Sequence, residues 1–475
     1  MESDGKVELS GELEESHLYN HDLAPTKIAQ RTWTTYNYAA LWIGMAHCIP
    51  TYQLASGLIA AGMNWFQAIS TVLLGNLIVL IPMLLNSYAG TKYGVPFPVL
   101  CRSSFGVKGA NLPALLRAGV ACGWFGIQTW IGGAALNTLM AAAWDPWKSF
   151  QGGPWVCFFA FWLVNMWIIW KGMESVRKFE NWAAPLILVV TLFLFVWMYI
   201  QAKGFGPIIS QPSKFTDFPS FFAVFLPNLT ANVAFWSTLS LNMPDFTRFS
   251  RAQKSQILGQ ALGLPTTMTL FAGLGIFITS ATVVVFGEAI WDPIALLAKF
   301  NHPLVVVFSL FNIAVATLSV NVAANVVSPS FDFSNAWPRK IDFRLGGLIT
   351  GVLGIAIMPW KLLSSYGSYV NGWLNLYAGV LGPVAGIMIC DFWVVRKRNL
   401  KLAELYSPRG EYCYMNGWNP RALAAFVIGV ACALGGIAIP GMHAFAHASW
   451  FIGFAVSFVL YWLLMAGQVS GKADR

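Results

Sequence analysis

The sequence predicts an all-α polytopic membrane protein, and three observations carry that prediction. Of its 475 residues 57% are hydrophobic and only 10% charged, against about 25% charged in ordinary soluble chains, and mean hydropathy is +0.60. The apolar residues come in continuous runs of roughly 20, the length of a helix across a hydrocarbon core of about 30 Å. Strands of a membrane barrel would instead alternate apolar and polar positions over about ten residues. The Lys and Arg residues, finally, fall between the runs with a strong alternating bias.

Taken in order, residues 1–36 are a polar tail holding seven of the 20 acidic residues. It lacks the basic start and apolar core of a cleavable signal peptide, so it is expected to stay on the protein. Twelve spans follow, at 37–60, 65–88, 112–140, 154–170, 182–201, 220–242, 257–286, 303–327, 346–358, 369–390, 422–440 and 448–467. The ninth is short. Residues 468–475 form a second tail. The first and sixth spans are each interrupted by polar residues, at His47-Cys48-Ile49-Pro50-Thr51 and from Ser237 to Pro244. Interruptions in matching places of two halves point to an inverted repeat, with a site where the helices unwind. The repeats would be 37–201 and 220–390, with the two spans in 422–467 peripheral. A kink at Pro50 and a helix end at Pro244 would explain the same prolines, and these residues alone do not choose. The pairs Gly259/Gly263, Gly347/Gly351 and Gly382/Gly386 suit close helix packing.

The charge pattern tests both count and orientation. With the N-terminus in the cytoplasm, 23 of the 29 Lys and Arg residues lie inside, five lie outside, and Arg117 sits within the third span. One missed or invented span would invert every later loop and destroy that split, so an even count with both termini cytoplasmic is expected. The same scatter argues against nucleic-acid binding, which needs basic residues gathered in one patch. Arg117 is expected to snorkel to the cytoplasmic surface.

Enzymatic equipment is missing from the sequence: there is no Walker loop, no H-E-x-x-H and no paired carboxylates within a span. The seven cysteines are widely spaced and form no C-x-x-C pair, so they read as small buried hydrophobes rather than as disulfides or a metal site. The acidic residues outside the tail fall in predicted loops or near span ends, among them Asp245, Glu288 and Asp391. With no carboxylate at mid-membrane, a neutral cargo is expected.

Neutral polar groups at helical spacing are the leads that remain. Trp124 and Gln128 are four residues apart, about 6 Å along a helix axis and on one face. Asn228, Asn232, Trp236 and Ser240 repeat every four residues, and Asn321, Asn325 and Ser328 follow at four and three. Amides offer a donor and an acceptor side by side, which matches the edge of an imide or cis-amide ring, and indoles suit its flat face. The same amides could instead pin helices together, and most of the 22 tryptophans would belong to interfacial belts. His47 is the one histidine near mid-membrane. It reads as a proton site or as a neutral, hydrogen-bonded residue at the helix break.

At these residues the chain resembles the nucleobase:cation symporter-1 family, in particular bacterial permeases for hydantoins, allantoin and uracil. The similarity runs from about Arg31 to Tyr414. Its signatures are Gly123-Trp124-Phe125-Gly126-Ile127-Gln128-Thr129-Trp130, Leu241-Asn242-Met243-Pro244-Asp245-Phe246-Thr247-Arg248, Asn321-Val322-Ala323-Ala324-Asn325 and Leu381-Gly382-Pro383-Val384-Ala385-Gly386-Ile387-Met388. The resemblance implies a leucine-transporter-like core of two inverted five-helix repeats plus two peripheral helices. It implies a heterocycle held between Trp124 and Trp236, with Phe235 in the same site and Gln128 and Asn325 as hydrogen-bonding partners. Trp373 and Leu374 match a thin gate over that site. The positions matching a sodium site are Gly44, His47, Ala316, Ser319 and Val320, where Val320 stands in place of a hydroxyl. Sodium prefers hard oxygen ligands, so that departure leaves sodium and a proton as rival coupling ions. The expected function is cation-coupled import of a small neutral heterocycle across the plasma membrane by a monomer with no cofactor. Purine, cytosine or amino-acid cargo on the same architecture, or a receptor that binds the ring without moving it, are the alternatives.

Overall fold

The computed structural model describes residues 2–3, 5–9, 18–19, 21, 23–171, 189, 191–299, 303–337, 340–439 and 443–470. The helices are α1 (Thr35–Ala46), α2 (Ile49–Ala60), α3 (Trp65–Tyr93), α4 (Phe97–Phe105), α5 (Asn111–Ala143) and α6 (Gly153–Lys171). They continue with α7 (Phe218–Phe235), α8 (Ser237–Asn242), α9 (Pro244–Thr247), α10 (Gln253–Phe286) and α11 (Pro293–Leu297). Further on come α12 (Pro303–Asn325), α13 (Val327–Ala336), α14 (Phe343–Ala356), α15 (Asn375–Ile389), α16 (Pro420–Ala438) and α17 (Ser449–Ser470), with shorter helical pieces between the numbered helices. Among the described residues the strands are confined to a small hairpin in the N-terminal tail, Glu2–Ser3 with Lys6–Val7.

Seven helices among the described residues are long and apolar enough to cross a membrane by length and composition. The expected spans exceed that number partly because the chain breaks some of them. The first is split into two 12-residue helices. His47 ends α1, Cys48 is extended, and Pro50 sits in the first turn of α2, where its missing N–H and fixed φ cost nothing. The sixth is split at Trp236, and Pro244 opens the short α9 after it. Pro50 therefore starts a helix rather than kinking one. The ninth is 14 residues long, and within the fifth the described residues form a shorter apolar helix, Thr191–Gln201.

Two groups of helices pack internally and touch one another sparingly. In the first, α1, α2, α7, α8, α9 and α10 gather around α3 and one another; in the second, α6, α12, α13 and α14 gather around α5. Small residues permit the close approaches. A Cβ on Gly259 would lie 2.4 Å from the Cβ of Tyr38, and one on Gly126 would lie 2.2 Å from the Gly354 carbonyl oxygen. The seam between the two groups is where a ligand could lie. α15 packs along α17, with Gly382 and Gly386 facing the carbonyls of Trp450 and Phe454.

Buried arginines tie the ends together. The Arg31 guanidinium donates to the carbonyls of Thr26, Thr91 and Val7, and that of Arg102 donates to Leu18, Leu405 and the Asn335 side chain. Asp391 lies fully buried, accepting from Arg396 Nε at 2.8 Å, Ser103 at 2.9 Å and Tyr461 at 2.8 Å. All seven cysteines are free, and five of them are buried.

Candidate substrate site

A cavity opens at the seam, beside both helix breaks. Its volume is about 50 Å³, room for a few waters at roughly 10–15 Å³ each. One wall comes from the second group: Arg117, Ala121, Trp124 and Gln128 on α5, with Val320, Ala324 and Asn325 on α12. The α5 residues fall at intervals of four, three and four, a single helical stripe. The facing wall comes from the first group: Met45, Cys48, Pro50, Phe235, Trp236, Thr238 and Leu239.

The rings are held edge to face. Trp124 meets Phe235 with centroids 5.1 Å apart, Trp373 at 6.1 Å and Tyr369 at 6.2 Å. Trp236 meets Phe235 at 4.9 Å and Trp42 at 5.1 Å. Such pairs contribute about 0.5–1.5 kcal/mol beyond burial. The polar inventory is what a ligand would read. Gln128 Oε1 and Trp236 Nε1 are buried without a protein partner. The Asn325 amide nitrogen donates to Asn321 Oδ1 at 3.1 Å, which leaves its amide oxygen for the cavity. Unpaired buried polar atoms cost about 1–3 kcal/mol each, so an acceptor from Gln128 and a donor from Trp236 await a partner with both.

The five expected substrate residues, Trp124, Gln128, Trp236, Asn325 and Phe235, all line this cavity. Other members of the polar stripes do not. Asn321 donates to Phe125 O, Thr129 Oγ1 and Asn165 Oδ1, pinning α12 to α5 and α6. Asn232 donates to the Asn228 carbonyl, and Asn228 accepts from Tyr366 at 2.8 Å.

Trp373 and Leu374 stand outside the cavity, in a π-helical stretch, Ser368–Leu374, that runs into α15. The Trp373 ring lies where a Gly123 Cβ would be, 2.1 Å from its nearest atom, and covers Trp124. Leu374 is fully buried. This stretch and the start of α15 are tethered to the first group, with Tyr369 donating to the Pro50 carbonyl at 3.4 Å and Tyr377 to that of Ala234 at 2.9 Å.

Of the cation positions, Gly44 lies in the last turn of α1 and His47 ends it, with its Nδ1 against the Ile43 carbonyl and its ring 4.8 Å from Phe271. Val320 presents hydrocarbon to the cavity, so it does not complete an oxygen-ligand set for sodium. The side chains of Ala316 and Ser319 lie outside the described residues.

Two expectations need correction. Arg117 does not snorkel to a surface: its side chain is 3% exposed, lines the cavity and pairs with Asp332 at 3.2 Å. Nor are the carboxylates confined to loops and span ends, because Asp332 lies fully buried on α13 beneath the cavity. The marked span stopped at 327, but the helix resumes after a bend at Val326 and carries Asp332 inward. A lone arginine in an apolar span was the available signal, and its partner lies 215 residues away. Cys48, Met45 and Thr238 also line the cavity without having been singled out for it.

A family model described as a permease for cytosine/purines, uracil, thiamine and allantoin matches residues 25–453. The chain is 44% identical over 460 residues to the allantoin permease of Bacillus subtilis, covering 95% of this chain and 94% of that one. Its fold is similar to the inward-facing conformation of Mhp1, with a TM-score of 0.81, 25% identity and coverage of 97% and 96%. It is similar too to Mhp1, a nucleobase-cation-symport-1 family transporter, in a closed conformation with bromovinylhydantoin bound, with a TM-score of 0.78, 26% identity and coverage of 94% and 95%. The relatives are permeases rather than enzymes. A match over most of the chain, with a family fold and a cavity at its seam, makes this chain a member of the nucleobase:cation symporter-1 family of multi-pass membrane permeases.

Proposed function

We propose that the protein is a secondary active importer of a small neutral heterocycle of the allantoin, hydantoin or uracil type, working by alternating access at the seam cavity. The observation that carries this reading is the pairing of unpartnered Gln128 Oε1 and Trp236 Nε1 beside the Trp124 and Phe235 rings. An acceptor and a donor edging an aromatic box fit a flat ring that bears adjacent N–H and C=O groups. The allantoin permease of Bacillus subtilis supports that class of cargo. Arg117 and Asp332 compensate each other, so the wall has no excess charge and a neutral cargo remains the reading despite the buried ions.

In this proposal twelve spans cross the plasma membrane with both termini cytoplasmic, as two inverted repeats, 37–201 and 220–390, and a peripheral pair in 422–467. Gln128 and Asn325 hold the ring's edge, Trp124, Phe235 and Trp236 its faces, and Trp373 with Leu374 the outer gate. The protein works as a monomer. The coupling ion is taken to be a proton, because the Val320 side chain offers sodium no oxygen. One charge moving through 100 mV releases about 2.3 kcal/mol, enough for roughly 40-fold accumulation.

The test is initial uptake of labelled allantoin by expressing cells, with unlabelled uracil, hydantoin, adenine and cytosine as competitors. Saturable uptake blocked by one or two rings is expected, and Trp124→Ala and Gln128→Ala should abolish it at unchanged surface expression. Wild-type uptake by both variants would sink the site assignment.

A further inference from the structure

Beneath the cavity the two helix groups are joined by a compact set of hydrogen bonds that the substrate site does not use. On the first group, α8 runs one turn on from the cavity residues Thr238 and Leu239 to Asn242, and α9 then brings in Asp245. On the second, the chain passes from the cavity residue Asn325 to Ser328 in the first turn of α13. Asn242 Nδ2 donates to Ser328 Oγ at 2.7 Å, and Ser328 Oγ donates to Asp245 Oδ2 at 3.0 Å. Asn242 Nδ2 also reaches Asp245 Oδ2 at 3.2 Å, while Asp245 Oδ1 accepts from the Phe97 N–H of α4 at 2.8 Å. All three side chains are buried, at 1% (Asn242), 5% (Ser328) and 8% (Asp245) exposure.

The arrangement has the chemistry of a joint that opens. A buried carboxylate needs donors, and Asp245 draws on Phe97, Asn242 and Ser328. Of these Asn242 shares the group of Asp245, Phe97 lies on α4, which packs on both groups, and Ser328 belongs to the opposite group, so parting the groups takes the Ser328 donor from Asp245 and the Asn242 donor from Ser328, and water takes their places. The Arg117–Asp332 pair, by contrast, lies wholly within the second group and would travel with it.

We propose that Asn242, Asp245 and Ser328 form a clasp that holds the two helix groups together under the cavity, and that its parting opens the cavity toward the side where α9 and α13 end. The proposal rests on the alternating-access reading above, whose orientation makes that side the cytoplasm. A hydrogen bond to a charged group is worth about 1.5–3 kcal/mol, so losing the Ser328 hydroxyl should shift the closed-to-open balance roughly 10- to 100-fold.

Cys48 supplies the reporter, since it lines the cavity and is buried. In a Cys413→Ser/Cys432→Ser background, which removes the half-buried and exposed thiols, Cys48 is labelled with a membrane-impermeant maleimide in inside-out and right-side-out vesicles. A further Cys48→Ala substitution identifies its signal. Ser328→Ala and Asn242→Ala should each raise labelling about 10-fold or more in inside-out vesicles and leave it unchanged or lower in right-side-out ones. Ser328→Thr, which keeps the hydroxyl, should restore the parental rate. Parental labelling in both alanine variants, with monodisperse protein on size exclusion, would overturn the clasp. The readout needs no cargo, so failure of the ring-transport reading would appear separately, as absent uptake with the labelling response intact.

Discussion

The ion pair between Arg117 and Asp332 gives a quantitative test of how the second helix group is built. The side chains are 3% and 0% exposed and meet at 3.2 Å, and Arg117 Nε and Asp332 Oδ1 have no protein partner. Removing one member strands the other charge in the interior, which costs about 3–5 kcal/mol, whereas replacing both with apolar residues is often neutral or stabilising. Arg117→Met and Asp332→Leu should therefore each destabilise strongly, and the double variant should recover most of the loss. With an unfolding entropy near 2.1 cal/mol/K per residue, a 475-residue chain changes Tm by about 1 °C per kcal/mol, so each single variant should drop by about 3–5 °C. The five buried cysteines serve as the assay, since a thiol-reactive dye brightens as unfolding exposes them. The double variant should melt within about 1–2 °C of the parent. A double variant as unstable as the sum of the singles would show that the two charges are independent and refute the pairing argument.

The proposed outer gate can be tested through Gly123, whose absent side chain makes room for the Trp373 ring. Gly123→Ala should displace that ring, raise labelling of Cys48 in right-side-out vesicles and lower uptake; unchanged labelling would mean that Trp373 does not cover the cavity. Trp124→Ala should weaken binding of the transported ring, read by equilibrium binding to purified protein, by about 1–3 kcal/mol, the usual worth of a ring stack, and a change below twofold would exclude stacking there. Replacing sodium with choline should leave uptake intact while a protonophore abolishes it, and the reverse pattern would move the coupling ion back to sodium.

Much of the site was legible because helical periodicity is local. Trp124 and Gln128 share a face by spacing alone, and the breaks at Cys48 and Trp236 sit where polar residues and prolines interrupt apolar runs. The amide stripes were ambiguous for a reason that periodicity cannot remove: Asn325 faces the cavity and Asn321, one turn earlier, is consumed by three neighbours. Which of two amides on one face is spent depends on helices elsewhere in the chain. The reading of Arg117 failed similarly. Snorkelling is a sound expectation for an arginine near a span end, but a carboxylate from a distant helix changes the balance, and nothing near residue 117 announces it. The Asn242–Ser328 contact joins residues 86 apart and was equally out of reach.

The division of the cavity wall bears on how cargo is chosen. In the proposed transport cycle, the amides assigned to a ring's edge sit on one moving part, and two of the aromatic surfaces assigned to its faces, Phe235 and Trp236, sit on the other. Neither half holds a complete description of the cargo, so a wrong molecule can satisfy one half and still fail to bridge both. On that proposal, selection works as a conjunction evaluated when the halves meet, not as a filter at the mouth. New preferences could arise by altering one half alone, with the other kept as a fixed standard against which each cargo is checked.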